Sequence, residues 1–311
     1  MRRLLGVAGL IAALGTNVAS ATEFPLAAGL PAAGAVGSDV VQSGDTLMDA
    51  ARRDDLGYTQ LVAANRGIDP WRPAAGSRIV LPSFYLLPDA PHRGLVVNLA
   101  EERLFYYPPG GRTVETYPIG IAVDPGATPI GKTRIVAKEA QPTWYPPASI
   151  HAQRPDLPRA IPPGPDDPLG AFALVLGWPG FLVHGTNKPD SVGRRVSHGC
   201  FHLYPEDIAR LYREVPIGTP VDVVSEPVEL QWVGAALFLE VHPSADQAEA
   251  LESGGIPVPA PPADLVTRVV AAAGDDAARV DWPAVARAGL ERDGIPVQIA
   301  TRASSPRLAR R

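Results

Sequence analysis

The chain has one cysteine, Cys200, and three of its six histidines, His184, His198 and His202, lie within 16 residues of it in FLVHGTNKPDSVGRRVSHGCFHLYPEDI, residues 181–208. A thiol is mostly protonated near neutral pH, and an imidazole within hydrogen-bond reach can take its proton and hold the resulting ion pair, which makes a nucleophile. His198 and Cys200 share one face if the segment is extended, because side chains alternate with period two. Gly199 between them lets backbone amides approach a substrate carbonyl, and such donors stabilise the oxyanion of an acyl transfer. Cysteine acyl transfer of this kind needs no organic cofactor and no metal.

Two other readings of the same residues stay open. Cys200 can be a small buried hydrophobe among packing histidines. The three histidines and Cys200 can also hold zinc, although their spacing matches no common structural pattern and no HExxH helix is present. Ser191 and Ser197 lack a nucleophile-elbow sequence, so a serine triad has little support.

The elements that must position these residues are short strands. GLVVNL (94–99), RLFYY (103–107) and TVETYPIGI (113–121) read as antiparallel strands around a turn carrying Glu101 and Glu102. A Pro- and Gly-rich excursion, from GATPIGKTRIVAKEAQPTWYPPASI to the apolar AFALVLG at 171–177, reads as irregular backbone walling a cleft. Phe181 to His184 is a further strand. YPEDIARLY (204–212) is a helix with Leu203, Ile208 and Leu211 inward, and TPVDVV is the closing strand.

Around this region, residues 92–225, the chain divides further. Arg2 and Arg3 followed by LLGVAGLIAALG and the small residues NVASAT have the form of a cleaved signal peptide over 1–20. Residues 21–38 read as a linker needing no fold. Residues 39–83 read as strand, helix, helix, strand, with Asp45 or Thr46 as a cap, a unit barely large enough for its own core. Residues 226–311 mix strands (LFLEV, IPVQIA) with helical stretches and a frayed end. The predicted fold is thus mainly β over 92–225, with a small βααβ module and a small α+β C-terminal segment.

Composition excludes several classes. Hydrophobic residues at 46% and charged residues at 20% fit neither a disordered polyelectrolyte nor a membrane bundle. A net charge of -5 provides no basic field for nucleic acid. One cysteine forms no disulfide within the chain, so in an oxidising compartment the thiol calls for burial or a chemical role.

PIGIA (118–122), TPIGKTRI (128–135), PTWYPP (142–147), PLGAFAL (168–174), FLVHGTN (181–187) and RVSHGCFHL (195–203) together make residues 92–225 resemble the L,D-transpeptidase family, also called YkuD or ErfK/YbiS/YcfS/YnhG. VVQSGDTL (40–47), the stretch Leu61 to Asn65 and Gly76 to Pro82 resemble a LysM peptidoglycan-binding module. The resemblance implies that the β region is a catalytic domain of β-sandwich-like fold, with a thiolate that attacks the bond between meso-diaminopimelate at position three and D-Ala at position four of a peptidoglycan tetrapeptide stem, then passes the acyl group to an amine. By the same resemblance Cys200 is the nucleophile and His184 its base, oriented by the carbonyl of Gly185. His198 supports the thiol, and the amides near Gly199 and Cys200 form the oxyanion hole. Thr186, Asn187 and Arg195 shape the pocket.

Many members read SHGCIRL where this chain has SHGCFHL, so His202 stands where Arg is common. The departure implies weaker carboxylate recognition or a rearranged pocket. Trp144, Tyr145 and Trp178 are expected to wall the donor site, or else to be core aromatics. The expected surroundings are the periplasm of a Gram-negative cell and the expected partners peptidoglycan strands and stems, with carbapenems as inhibitors. The acceptor is a lipoprotein Lys or a second stem, or water in an L,D-carboxypeptidase or tether-releasing hydrolase. The contrasting class is a non-catalytic wall-binding scaffold.

Overall fold

The computed structural model describes residues 22–26 and 30–303; the expected signal peptide and residues 304–311 lie outside the described residues. A nine-stranded sheet runs in the order Thr22–Pro25, Thr113–Pro118, Arg103–Tyr107, Gly94–Asn98, Pro220–Val224, Gly131–Ala140, Phe172–Leu176, Leu182–His184, Phe201–His202. The closing strand Pro220–Val224 pairs parallel with Gly94–Asn98 in mid-sheet, so the two ends of the predicted catalytic region meet. Leu95, Val97, Leu104, Leu174, Leu176 and Val183 on one face of the sheet pack with Ile208 and Leu211 of the helix Pro205–Glu214. Burial of these side chains, at roughly 1.5–3 kcal/mol each, is the main force fixing the sheet edge that carries His184 and Phe201.

Two segments differ from the sequence reading. The expected linker is folded where it is described: Thr22–Pro25 pairs with Thr113–Pro118, and Ala32–Gly34 pairs with Phe84–Leu86. Its partners lie far along the chain, so local composition carries no trace of the pairing. The excursion expected to be irregular contains the ten-residue strand Gly131–Ala140, which bridges Pro220–Val224 and Phe172–Leu176. Its register slips between Ile135 and Ala137, where the strand passes from one partner to the other. Beyond it the chain is irregular, apart from the short helix Ala148–Gln153.

In the N-terminal module, Gly37–Val40 pairs with Arg78–Leu81 around the helices Leu47–Arg53 and Tyr58–Ala64. Thr46 caps the first helix: its hydroxyl accepts from the Asp49 amide at 3.2 Å and the Asp49 carboxylate accepts from the Thr46 amide at 2.8 Å. Leu251, from the C-terminal segment, is buried in the core of this module with Leu47, Leu61, Val62 and Ile79. A unit too small to bury enough surface alone is completed from 170 residues downstream.

The C-terminal segment has a three-stranded antiparallel sheet, Val228–Val233, Ala236–Val241 and Val297–Thr301, backed by the helices Leu265–Ala273 and Trp282–Glu291. A further helix, Ala245–Glu252, crosses to the N-terminal module. The buried carboxylate of Glu252 accepts from the Arg195 amide at 2.9 Å and from Arg194 Nε at 3.2 Å. Beside it, Thr59 Oγ1 donates to the Gly193 carbonyl at 2.7 Å. N-terminal module, C-terminal helix and the segment leading to Cys200 therefore meet at one joint. No helix among the described residues is long and apolar enough to cross a membrane.

Candidate active site

Leu182–His184 pairs parallel with Phe201–His202, in register His184 to His202 and Val183 to Phe201. Cys200 immediately precedes the second of these strands, so the pairing brings the backbone that carries the thiol alongside the strand that carries His184. The two imidazole rings lie 6.1 Å apart between centroids.

His184 is buried, and its Nδ1 lies 2.6 Å from the Gly185 carbonyl oxygen. That carbonyl can only accept, so Nδ1 carries the proton and Nε2 is left as a bare base. Burial, reinforced by His202 nearby, pushes the pKa of His184 down to about 3. The imidazole is neutral at physiological pH. The thiol of Cys200 is partly buried, with Sγ 3.6 Å from the Gly180 carbonyl. Burial raises its pKa, while the Leu182 amide acts in the opposite direction.

The resting pair therefore differs from the ion pair expected from the sequence. Burial desolvates each group, which disfavours the thiolate of Cys200 and the imidazolium of His184.

The turn that carries Cys200 is closed by Ser197. Its hydroxyl donates to the Cys200 carbonyl at 2.8 Å and accepts from the Gly199 amide at 3.2 Å. The Gly199 amide, expected in the oxyanion hole, is thus engaged in this state. Gly199 adopts φ +140°, where a side chain is strained, and a Cβ would also press on the Phe181 ring and the Ala127 carbonyl. Thr128 Oγ1 donates to the Gly199 carbonyl at 2.9 Å, tying the turn to the TPIGK segment.

His198 does not share a face with Cys200, since the strand Arg195–Ser197 ends before it and Gly199 breaks the extended run. It is exposed and has no hydrogen bond or ion pair among the described residues. His202 is 4% exposed, its Nε2 lies 3.0 Å from the Ser191 carbonyl, and burial pushes its pKa down to about 4. It is a neutral, buried group that holds the 3-10 turn Pro189–Ser191, so of the two expected consequences of His202 the geometry bears on a rearranged pocket. Among the described residues the side chains close enough together to hold a metal ion are Glu101, Glu229 and His242, and the histidines near Cys200 are not in that group.

Arg195 directs its guanidinium inward to the buried Glu102, 3.0 Å from Nε to Oε1, and so anchors the strand preceding Cys200. Asn187 Nδ2 donates to the Pro165 carbonyl at 3.1 Å, and Thr186 Oγ1 accepts from the Lys188 amide at 3.0 Å. These bonds fix the loop after His184 against the Pro-rich excursion. Trp178 packs at the edge of the core against Phe181. Trp144 is half-buried in a bridge with Ile161, and Tyr145 is 69% exposed.

Sequence reasoning passed over Ser197, Thr128 and Gly120. A Cβ on Gly120 would fall on the His202 ring, so only glycine leaves that ring room. The triplet PIG at 118–120 was visible, but nothing local to it points at a histidine 82 residues later.

Residues 92–223 match the YkuD family, the L,D-transpeptidase catalytic domain. The probable L,D-transpeptidase YbiS of Escherichia coli (strain K12) is 38% identical over 250 residues, 78% of this chain and 80% of that one. The probable L,D-transpeptidase YcfS of the same strain is 42% identical over 212 residues, 65% of this chain and 66% of its own length. An L,D-transpeptidase structure from Mycobacterium smegmatis is similar at 22% identity with a TM-score of 0.33, over 49% of this chain and 65% of that one. The chain belongs to the L,D-transpeptidase family, a family of enzymes.

Proposed function

We propose that this chain is a periplasmic L,D-transpeptidase that cleaves the meso-diaminopimelate–D-Ala bond of peptidoglycan tetrapeptide stems and transfers the acyl group from Cys200 to an amine. The observation that carries the reading is the fixed tautomer of His184, whose Nδ1 is held by Gly185 on the strand paired with the one that Cys200 opens.

In the proposed reaction Cys200 Sγ attacks the donor carbonyl as its proton passes to Nε2 of His184. Collapse of the tetrahedral intermediate breaks the C–N bond, and the His184 proton goes to the departing D-Ala amine. The thioester is then attacked by an acceptor amine, whose proton His184 takes in turn and returns to sulfur. Membership in the family, the buried neutral base and the turn closed by Ser197 support this sequence. Gly185 orients the base, and amides of the Cys200 turn stabilise the oxyanion once substrate displaces the Ser197 contact. Thr186, Asn187 and Arg195 position loops around the donor, while Trp144, Tyr145 and Trp178 line its approach.

The βααβ arrangement at 37–81 supports a LysM-like module that holds glycan strands. The signal peptide read over 1–20 supports export. The acceptor is a lipoprotein Lys or a second stem, and a carbapenem acylates Cys200 in place of the donor.

The test is mass analysis of muropeptides after incubating purified sacculi with the full chain, with and without a Lys-ended lipoprotein peptide. Tethered or 3-3 crosslinked products that are absent with Cys200→Ala support transfer. Tripeptide products alone indicate water as acceptor, and unchanged sacculi with no carbapenem adduct indicate a scaffold.

A further inference from the structure

Between the catalytic region and the C-terminal segment lies a cavity of about 280 Å³. Its walls come from Ile121, Thr128 and Ile130 on one side and from Ser244, Pro262 and Arg292 on the other. Thr128 is the residue whose hydroxyl holds the Gly199 carbonyl, so one wall of the cavity is one hydrogen bond away from the turn that carries Cys200.

Arg292 follows the helix Trp282–Glu291 in a left-handed conformation, φ 44°, which turns it back from the helix end. Its side chain is 7% exposed, its Nε has no hydrogen-bond partner, and it has no ion pair among the described residues. A guanidinium stays charged in a protein, and burying one without a counter-ion costs several kcal/mol. Arg195, the other cation lining the cavity, is satisfied by Glu102. Asp124 also lines it but holds the Gly126 amide at 2.8 Å. Ser244 and Ala245 also line it, at the start of the helix Ala245–Glu252, whose end is closed by reciprocal bonds between Ser244 and Gln247.

We propose that this cavity is a carboxylate pocket in which Arg292 holds the C-terminal carboxylate of a wall peptide, either the donor's or the acceptor's, while transfer takes place at Cys200. A single planar fork in a mostly apolar cavity suits one carboxylate, whereas a phosphate dianion would need more donors and would meet a stronger repulsion from Asp124 than a singly charged carboxylate does. The pocket gives the C-terminal segment a part in substrate recognition, and the proposal rests on the acyltransferase reading.

The test compares the full chain with Arg292→Gln and Arg292→Lys in steady-state transfer, using a tetrapeptide donor and a Lys-ended acceptor peptide, each as free acid and as C-terminal amide. In Arg292→Gln the KM of one free acid rises about ten- to a hundredfold, as for loss of a charge-assisted hydrogen bond, with kcat little changed and the matching amide insensitive. Arg292→Lys recovers part of the loss. A rise confined to the donor acid assigns the pocket to the donor, and one confined to the acceptor acid assigns it to the acceptor. Equal losses for acid and amide, or no change in either KM, overturn the proposal.

NMR titration of the Cys200→Ala full chain with the same peptides reads the pocket without turnover. Preference for an acid over its amide, abolished by Arg292→Gln, supports the pocket even if the wild-type chain transfers nothing, in which case only the acyltransferase reading falls. No preference for either acid overturns the pocket.

Discussion

His184 is held by its own neighbour in the chain: Nδ1 donates to the Gly185 carbonyl across 2.6 Å. A ring tethered this way cannot turn Nε2 away from the site without giving up a buried hydrogen bond. Replacing His184 with Gln therefore slows acylation of Cys200 by about a hundred- to ten-thousandfold, the usual worth of a general base. The rate of adduct formation with a carbapenem or a tetrapeptide, followed by intact mass, reads the loss.

The pH dependence of acylation distinguishes a neutral resting pair from an ion pair. With a folded pKa of about 3 against an ordinary 6.5, His184 remains an unprotonated base as the pH falls from 7 to 5. The acylation rate accordingly shows no acid limb near pH 6.5, and the decline comes only toward pH 4 and below. Rates measured between pH 4 and 8 check this, and a half-maximal point near 6.5 would mean a solvated imidazole.

Gly120→Ala would drive a methyl group into the His202 ring. The ring is pinned between Gly120 and the Ser191 carbonyl, so the substitution costs about 1–3 kcal/mol by overpacking. Chemical denaturation measures that cost, and the 3-10 turn at Pro189–Ser191 should become easier to cleave by protease.

Much of this architecture is readable in the sequence because the signals are local. The run RLFYY at 103–107 and the strand Arg78–Leu81 fall where β-branched, aromatic and apolar residues between turn signals place them. The cluster around Cys200 is marked by residue type alone. What escaped the sequence depends on distant partners or on burial. Thr22–Pro25 is a strand only because Thr113–Pro118 accepts it. His202 looked like a substrate ligand because its burial beneath Gly120 is set by tertiary packing. The depressed basicity of His184 comes from desolvation, which no spacing of residues encodes.

Glu252 joins three parts of the chain through the Arg194 side chain, the Arg195 amide and its place beside Thr59. Glu252→Ala leaves those donors unpaired in a largely buried joint, a loss of about 2–4 kcal/mol. The denaturation midpoint falls accordingly. Acylation also slows, because the strand Arg195–Ser197 loses the contact that seats it.

In the proposed reaction Cys200, deprotonated by His184, takes the acyl group of a wall peptide. Intact mass spectrometry of the full chain mixed with a tetrapeptide donor and no acceptor tests it directly. A stoichiometric adduct equal to the donor minus D-Ala is expected, located on Cys200, absent in Cys200→Ala and strongly slowed in His184→Gln. An unmodified wild-type chain beside intact donor, or an adduct that persists in Cys200→Ala, would contradict it.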